Sequence, residues 1–383
     1  MRILNNSTAT FPVGTAERCI PYHALCDYYP HRETSCAVDR ASGRSLYARQ
    51  ISVHLNDLER HHDHAVVRCR SKEWNMTQIA WIGLGRMGLP MASHLKAAGH
   101  DVLGIENYAA AAERARAAGF AVSETLEAAN GAEVIFSMLP TAADVRSVYL
   151  GADGLFASLR PGTIVVDSST IDVATARLLA EDAAAHQLRF LDAPVSGGVK
   201  GAEAATLTFM VGGDKDTLEA VMPILEPMSG RVISAGGAGT GQAAKIVNNM
   251  IMGVSTAATC EGILLAQRIG LDPSVFFEIA TTSTCDSWVI RTLFPAPGIV
   301  ATAPSSDGYA AGFMTKLMVK DLALAVEAAK QTATPATVTE TALAAYADAM
   351  NNGFGELDCT SLYLSMSEIA DEMARTADSQ ASA

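Results

Sequence analysis

Ile79-Ala80-Trp81-Ile82-Gly83-Leu84-Gly85-Arg86-Met87-Gly88 sets a β-prone apolar run directly against a G-x-G-x-x-G turn. Glycine is common, so the turn alone says little. Its context says more. A helix is expected from about Leu89 to Ala98, closed by Gly99, and a second apolar run, Asp101–Glu106, ends on an acid 23 positions after Gly83. Strand, glycine turn, helix, strand and acid form the fingerprint of a dinucleotide site. The first glycine permits the tight turn and the second lets backbone approach a pyrophosphate. The third lets the helix pack close to the strand, and the helix N-terminus attracts the phosphates. Gly83, Leu84, Gly85, Arg86, Met87 and Gly88 are therefore the expected cofactor loop. Glu106 is expected to accept hydrogen bonds from the adenosine ribose hydroxyls. Its charge would repel a 2′-phosphate, which favours NAD over NADP.

Outward from this unit the pattern repeats. Apolar runs at Glu133–Leu139, Thr163–Asp167, Arg189–Ala193, Thr208–Val211 and Arg231–Ser234 are separated, at first, by alanine-rich helical segments. Alternation of strand and helix predicts a parallel sheet covered on both faces. After Gly239 strand signals stop. Helical patterns follow at about Gly241–Ile269, Pro273–Thr282, Thr315–Ala333, Pro335–Asn352 and Cys359–Arg375. The expected architecture is an α/β Rossmann-type dinucleotide-binding domain over 76–238 and an all-α domain over 239–383, with a long helix starting near Gly241 joining them.

Residues 1–75 differ from the rest. They hold four of seven cysteines and six of nine histidines, and carry ten basic and eight acidic residues, a net +2 against −13 for the chain, which leaves −15 for the remainder. No sustained period runs through them, so they read as a poorly ordered extension, with Met76 as the functional start. Eight acids argue against a mitochondrial transit peptide. His61-His62-Asp63-His64 shows no recognised ligand spacing and no CxxC is present, so no metal is expected. Net charge −13 argues against nucleic acid or anionic membrane as a partner. The apolar stretch Ile246–Ala266 carries Asn248, Asn249 and Glu261, which disfavours a lipid-facing span. Seven cysteines, an odd number in a long chain, suit a reducing setting: the cytoplasm, or the mitochondrial matrix in a eukaryote.

Two stretches carry the expected chemistry. Asp192-Ala193-Pro194-Val195-Ser196-Gly197-Gly198 ends a strand, and two glycines beside a serine can present backbone N–H groups to a carboxylate. In Gly241-Gln242-Ala243-Ala244-Lys245-Ile246-Val247-Asn248-Asn249, Lys245 and Asn249 stand four apart and share a helix face. Among small and apolar neighbours Lys245 is expected to lose solvation and have its pKa lowered. Such a lysine could take a hydroxyl proton as hydride leaves for a nicotinamide. On spacing alone it could equally be a snorkelling lysine. Thr170, after the run Thr163–Asp167, could touch the cofactor or cap the next helix.

These motifs together resemble the β-hydroxyacid dehydrogenase family. The resemblance covers Met76 to about Arg375 and rests on GLGRMG at Gly83–Gly88, SMLPT at Ser137–Thr141, DSST at Asp167–Thr170, DAPVSGG at Asp192–Gly198, GQAAKIVNN at Gly241–Asn249 and LMVKDLALA at Leu317–Ala325. It implies NAD-dependent oxidation of a small β-hydroxy acid, with Lys245 as acid/base and Asn249 positioning the substrate. It implies Leu139, Pro140, Asp144, Thr170 and Lys320 as cofactor contacts, Ser196, Gly197 and Gly198 as the carboxylate loop, and a homodimer or homotetramer. The segment Phe294–Ile299, followed by Tyr309–Phe313 and the KDL run, is similar to members that oxidise 3-hydroxyisobutyrate. Asp286 departs from the pattern and would place negative charge near an anionic substrate if it faced the pocket. Reduction of tartronate or succinate semialdehyde, and a non-catalytic NAD-binding regulator, are the alternatives. An intact Lys245 and Asn249 count against the last.

Overall fold

The computed structural model describes residues 76–151 and 153–381, with two short strands at 37–38 and 45–46. The chain divides into two compact units, Met1–Asn75 and Met76–Ala383. In the first unit Ala37–Val38 pairs antiparallel with Ser45–Leu46. Apart from these four residues, the extension expected over 1–75, with its histidine run at 61–64, lies outside the described residues.

The second unit begins with β1 (Gln78–Ile82), α1 (Gly88–Ala97), β2 (Asp101–Ile105), α2 (Ala109–Ala117) and β3 (Ala121–Ser123). It continues through β4 (Val134–Ser137), α3 (Ala142–Tyr149), β5 (Ile164–Asp167), α4 (Val173–Ala185) and β6 (Arg189–Asp192). Then follow β7 (Val195–Ser196), α5 (Gly198–Glu203), β8 (Leu207–Gly213), α6 (Lys215–Leu225) and β9 (Ser229–Gly236). One nine-stranded sheet results, in the order β9-β8-β6-β5-β4-β1-β2-β3, with β7 paired to β8. The strands from β1 to β6 are mutually parallel, as the alternation predicts. The expectation of a wholly parallel sheet is corrected at β8, which runs antiparallel to β6 and β7 while pairing parallel with β9. The connection from β6 runs through β7, which forms an antiparallel pair with β8, and the six-residue α5, so the chain folds back on itself along the sheet.

The central strands are buried on both faces. Ile79 and Trp81 of β1 join one core with Met91 and Leu95 of α1, while Ala80 and Ile82 join the other with Val145 and Tyr149 of α3. β4 and β5 divide in the same alternating way, so their sequences read as continuous apolar runs. Trp81 stacks on Phe136 with ring centroids 4.9 Å apart.

The helical part consists of α7 (Thr240–Arg268), α8 (Pro273–Ala280), α9 (Trp288–Leu293), α10 (Thr315–Gln331), α11 (Thr337–Ala349) and α12 (Leu362–Ala381). It builds its own core from Cys260, Ile263, Phe294, Met318, Leu322, Tyr346 and Leu362, among others. By length and composition α7 could cross a membrane. Here its face Asn249, Gly253, Thr256, Cys260 and Ile263 is buried inside the protein. A Cβ on Gly253 would lie 2.8 Å from Met318 Sδ and Leu322 Cδ2, so α7 and α10 cross at a glycine.

Candidate active site

The sheet order places β1 between β2 and β4, whose connections leave in opposite directions. In such a sheet the ligand crevice opens there, off the carboxyl ends. The glycine loop sits at that switch point. Gly83 has φ +90°, and a Cβ on it would lie 2.4 Å from the Met138 carbonyl oxygen. A Cβ on Gly88 would lie 2.0 Å from the Gly83 carbonyl oxygen and 2.8 Å from Trp81 Nε1. A Cβ on Gly85 would meet nothing within 4 Å. Two glycines are thus needed by the protein itself, and the middle one leaves open space at the helix N-terminus, where a pyrophosphate would approach.

Glu106, at the end of β2, is nearly buried. One carboxylate oxygen accepts the Leu84 amide at 2.8 Å and the other the Tyr108 amide at 2.9 Å. A carboxylate offers about four lone-pair directions, so both oxygens keep capacity for ribose hydroxyls. The loop and acid therefore fit a dinucleotide. Arg86 donates to the Ala311 carbonyl at 2.5 Å, reaching to the helical part instead of standing free over the loop.

Beyond β4 the Leu139 amide donates to Ser169 Oγ at 2.9 Å, and Ser169 Oγ donates to Asp167 at 2.6 Å. Ser137 Oγ donates to the same Asp167 oxygen at 2.7 Å. Burial pushes the Asp167 carboxyl above the ordinary range, opposed by the Ser169 and Ser137 hydrogen bonds and the Lys320 charge. This buried hub fixes the ends of β4 and β5, and with them Leu139, Pro140 and Thr170. Asp144 is exposed and forms a capping box with Thr141 at the start of α3, one oxygen accepting the Thr141 amide at 3.1 Å and its hydroxyl at 2.6 Å. Lys320 of α10 donates to the Thr170 carbonyl at 2.8 Å and lies 3.4 Å from the Pro140 carbonyl. The helical part thereby holds the ends of both strands.

α7 delivers the lysine. Asp192, ending β6, accepts the Gly239 amide at 2.7 Å and the Gln242 amide at 2.9 Å, which anchors the first turn of α7 on the sheet. Gln242 adds two bonds, donating to the Ser169 carbonyl at 2.8 Å and accepting the Ile171 amide at 3.1 Å. A Cβ on Gly241 would lie 2.5 Å from the Asp192 and Met210 carbonyl oxygens, so the helix could not seat there with a larger residue. One turn on, Lys245 is 7 % exposed. Burial lowers its pKa to about 8; Asp321 pulls the other way and Lys320 adds to the lowering. Asn249, 1 % exposed, donates to Asp321 at 2.5 Å. Asp321 also lies 3.2 Å from Lys320 Nζ. Buried Lys245, Asn249 and Asp321 and half-buried Lys320 thus form one polar cluster between α7 and α10. With its pKa lowered to about 8 the lysine is half neutral near that pH, which suits proton exchange with a ligand hydroxyl.

Ser196, Gly197 and Gly198 follow β6 at the same end of the sheet. Gly197 has φ +134°, a conformation suited to glycine, and precedes the short helix α5. Asp286 is exposed and paired with Arg291, Nη2 to carboxylate 2.7 Å, so its charge is locally compensated. A separate cavity of about 430 Å³, lined by Glu133, Arg160, Thr163 and Ile224 among others, lies at the amino ends of β4 and β5, away from this cluster.

Asp167, Asp192, Gln242 and Asp321 were not singled out by the sequence reading. Their roles depend on pairings across 30 to 73 positions, and no local period signals those. Their places inside the recognised motifs were the only hint.

Residues 78–237 match the family model described as the NAD binding domain of 6-phosphogluconate dehydrogenase. Residues 239–366 match the one described as NAD-binding of NADP-dependent 3-hydroxyisobutyrate dehydrogenase. The 3-hydroxyisobutyrate dehydrogenase of Pseudomonas aeruginosa is 46 % identical over 264 residues, 68 % of this chain and 88 % of the relative. A protein of the same organism named NAD-dependent L-serine dehydrogenase is 42 % identical over 284 residues, 74 % and 95 % respectively. The solved structure of Mycobacterium tuberculosis 3-hydroxyisobutyrate dehydrogenase with L-serine aligns with TM-score 0.72 and 44 % identity, covering 76 % of this chain and 99 % of that one. On these matches, the chain belongs to the 3-hydroxyisobutyrate dehydrogenase family of NAD-binding oxidoreductases acting on CH–OH groups.

Proposed function

We propose that the protein oxidises 3-hydroxyisobutyrate to methylmalonate semialdehyde, a step of valine breakdown. The observation that carries this is Lys245, buried on α7 with its pKa lowered to about 8 and held beside Asn249 and Asp321. Bound NAD supplies the acceptor for the hydride that leaves the carbinol carbon. Neutral Lys245 takes the hydroxyl proton at Nζ. Asn249, fixed through Asp321, orients the hydroxyl. Backbone amides of the Ser196–Gly198 loop receive the carboxylate. Gly83–Gly88 cradle the pyrophosphate, and Leu139, Pro140, Asp144, Thr170 and Lys320 border the cofactor. Glu106 holds the ribose and disfavours a 2′-phosphate, so NAD is preferred over NADP.

L-Serine is the second reading, favoured by the names of the Pseudomonas relative and the Mycobacterium complex. It carries the same β-hydroxyl and carboxylate, with an ammonium in place of a methyl. Such an ammonium needs an acceptor, and Asp286 already faces Arg291. Initial rates of NADH formation with 3-hydroxyisobutyrate, L-serine and other β-hydroxy acids test both. A higher kcat/KM for 3-hydroxyisobutyrate is expected; a higher one for serine would replace the first reading by the second.

The pH dependence follows from Lys245. Oxidation needs the neutral amine, so kcat/KM should rise with pH through about 8 and level above it. Reduction needs the ammonium and should fall through the same range. Asp321 stabilises the ammonium, so Asp321→Asn should move the rise to lower pH. A profile flat from pH 6 to 10 would remove Lys245 from the proton step.

The assembly reading rests on α7. Val247, Ile251, Leu265 and Ile269 are 54 %, 61 %, 61 % and 72 % exposed and recur at helical spacing on one face. A soluble monomer seldom leaves such a stripe bare, and a homo-oligomer would cover it. Light scattering in solution is expected to give a dimer or tetramer mass; a monomer mass would sink this part.

A further inference from the structure

Asp358 lies far in sequence from every residue given a role above, yet it is 1 % exposed and fully engaged. One carboxylate oxygen accepts the amides of Gly312 at 3.1 Å and Phe313 at 2.9 Å. The other accepts the Thr360 amide at 3.1 Å and its hydroxyl at 2.8 Å. Its own amide donates to the Tyr309 carbonyl at 3.0 Å, and the next amide, Cys359, to the Phe313 carbonyl at 2.8 Å. Asp358 therefore fixes both ends of the turn Tyr309–Phe313. That turn begins on a residue at φ +59° and lies between two parts of the site. The Ala311 carbonyl accepts Arg86 of the cofactor loop at 2.5 Å. The Gly312 carbonyl faces Gly198, lying 3.8 Å from where a Cβ on Gly198 would stand.

We infer that Asp358 is a positioning residue for the substrate site: it clamps the turn Tyr309–Phe313, which hooks Arg86 and walls the carboxylate loop at Gly198. The inference rests on the reading of Ser196–Gly198 as the carboxylate loop. The chemistry is specific to a carboxylate. Every hydrogen bond at the side chain is accepted, and each oxygen meets N–H donors. An amide of the same shape must turn its own N–H groups toward either the Gly312 and Phe313 amides or the Thr360 amide, leaving buried donors unmatched. Releasing the turn would widen the wall at Gly198 without touching Lys245.

The test compares Asp358→Asn with Gly312→Ala. The second keeps the carboxylate but places a Cβ 3.3 Å from its oxygen, so the turn and Asp358 must part slightly. With wild-type, Asp358→Asn and Gly312→Ala enzymes, KM for 3-hydroxyisobutyrate or L-serine, kcat, NAD affinity and Tm are measured. Expected is a rise in KM of about tenfold or more for Asp358→Asn, with kcat and NAD affinity changed much less. A smaller rise in the same direction is expected for Gly312→Ala, with little loss of Tm. A lowered Tm with unchanged KM in both variants would make Asp358 merely structural and overturn the inference. If Asp358→Asn does not fold, Gly312→Ala decides alone by the same criterion. A wild-type enzyme that binds NAD but turns over no β-hydroxy acid would overturn the functional reading, and this inference with it.

Discussion

Lys245→Ala is expected to lower kcat for hydroxy-acid oxidation by about 10²–10⁴-fold, the usual worth of a positioned acid/base, with NAD affinity nearly unchanged. The side chain is buried and its amine lies in a cluster with Asp321 and Lys320. Removing it deletes the proton acceptor and leaves a small cavity, but it relieves the cost of burying an ammonium, so the fold should survive. Lys245→Arg separates charge from proton transfer. A guanidinium keeps the positive charge and cannot deprotonate in the working range, so activity should stay low although the charge cluster is retained. Stopped-flow measurement of NADH formation in a single turnover, beside NAD titration by fluorescence, reads both quantities. Undiminished turnover in Lys245→Ala would leave the mechanism without its base and overturn it.

The glycine loop gives the second large effect, and here neighbouring glycines should behave oppositely. In Gly88→Ala the new methyl would stand 2.0 Å from a backbone oxygen and 2.8 Å from Trp81 Nε1. Neither backbone nor a stacked, fully buried indole can yield easily. A destabilisation at or above the usual overpacking range of about 1–3 kcal/mol is expected, seen as a fall in Tm of several degrees in the cofactor-free protein. In Gly85→Ala the methyl meets open space. The free protein should keep its Tm, while NAD affinity falls by about tenfold or more, since roughly 1.4 kcal/mol of lost approach suffices. Differential scanning calorimetry without NAD, followed by NAD titration, separates the cases. A stable Gly85→Ala that binds NAD normally would mean that the pyrophosphate does not pass over this loop.

Much of the frame was legible in the sequence. Seven of the nine main-sheet strands coincide with the apolar runs; the central ones, covered on both faces, leave uninterrupted Val, Ile, Leu and Phe signals, whereas β9 is largely exposed and was marked only by its short Val-Ile run. β3 and β7, of three and two residues, were missed: they are too short for a period to register. α9, six residues after a threonine- and serine-rich stretch, was missed for the same reason. The long helix was expected from Gly241 and begins at Thr240.

Local sequence determined the elements, the glycine turn and the candidate lysine, because each is written in residue type and spacing within one or two turns of chain. It also put Lys245 and Asn249 on one helix face. Tertiary structure alone decided what that face meets. Asp192 became the anchor of α7, Asp321 the partner of Asn249, and Arg86 a link to Ala311 in place of a free charge above the loop. It also reversed β8 within the sheet. These outcomes depend on hydrogen bonds and burial between segments 20 to 225 positions apart. A lysine's pKa, a carboxylate's partners and a strand's direction are set by the surroundings that packing creates, and those surroundings exist only once the chain has folded.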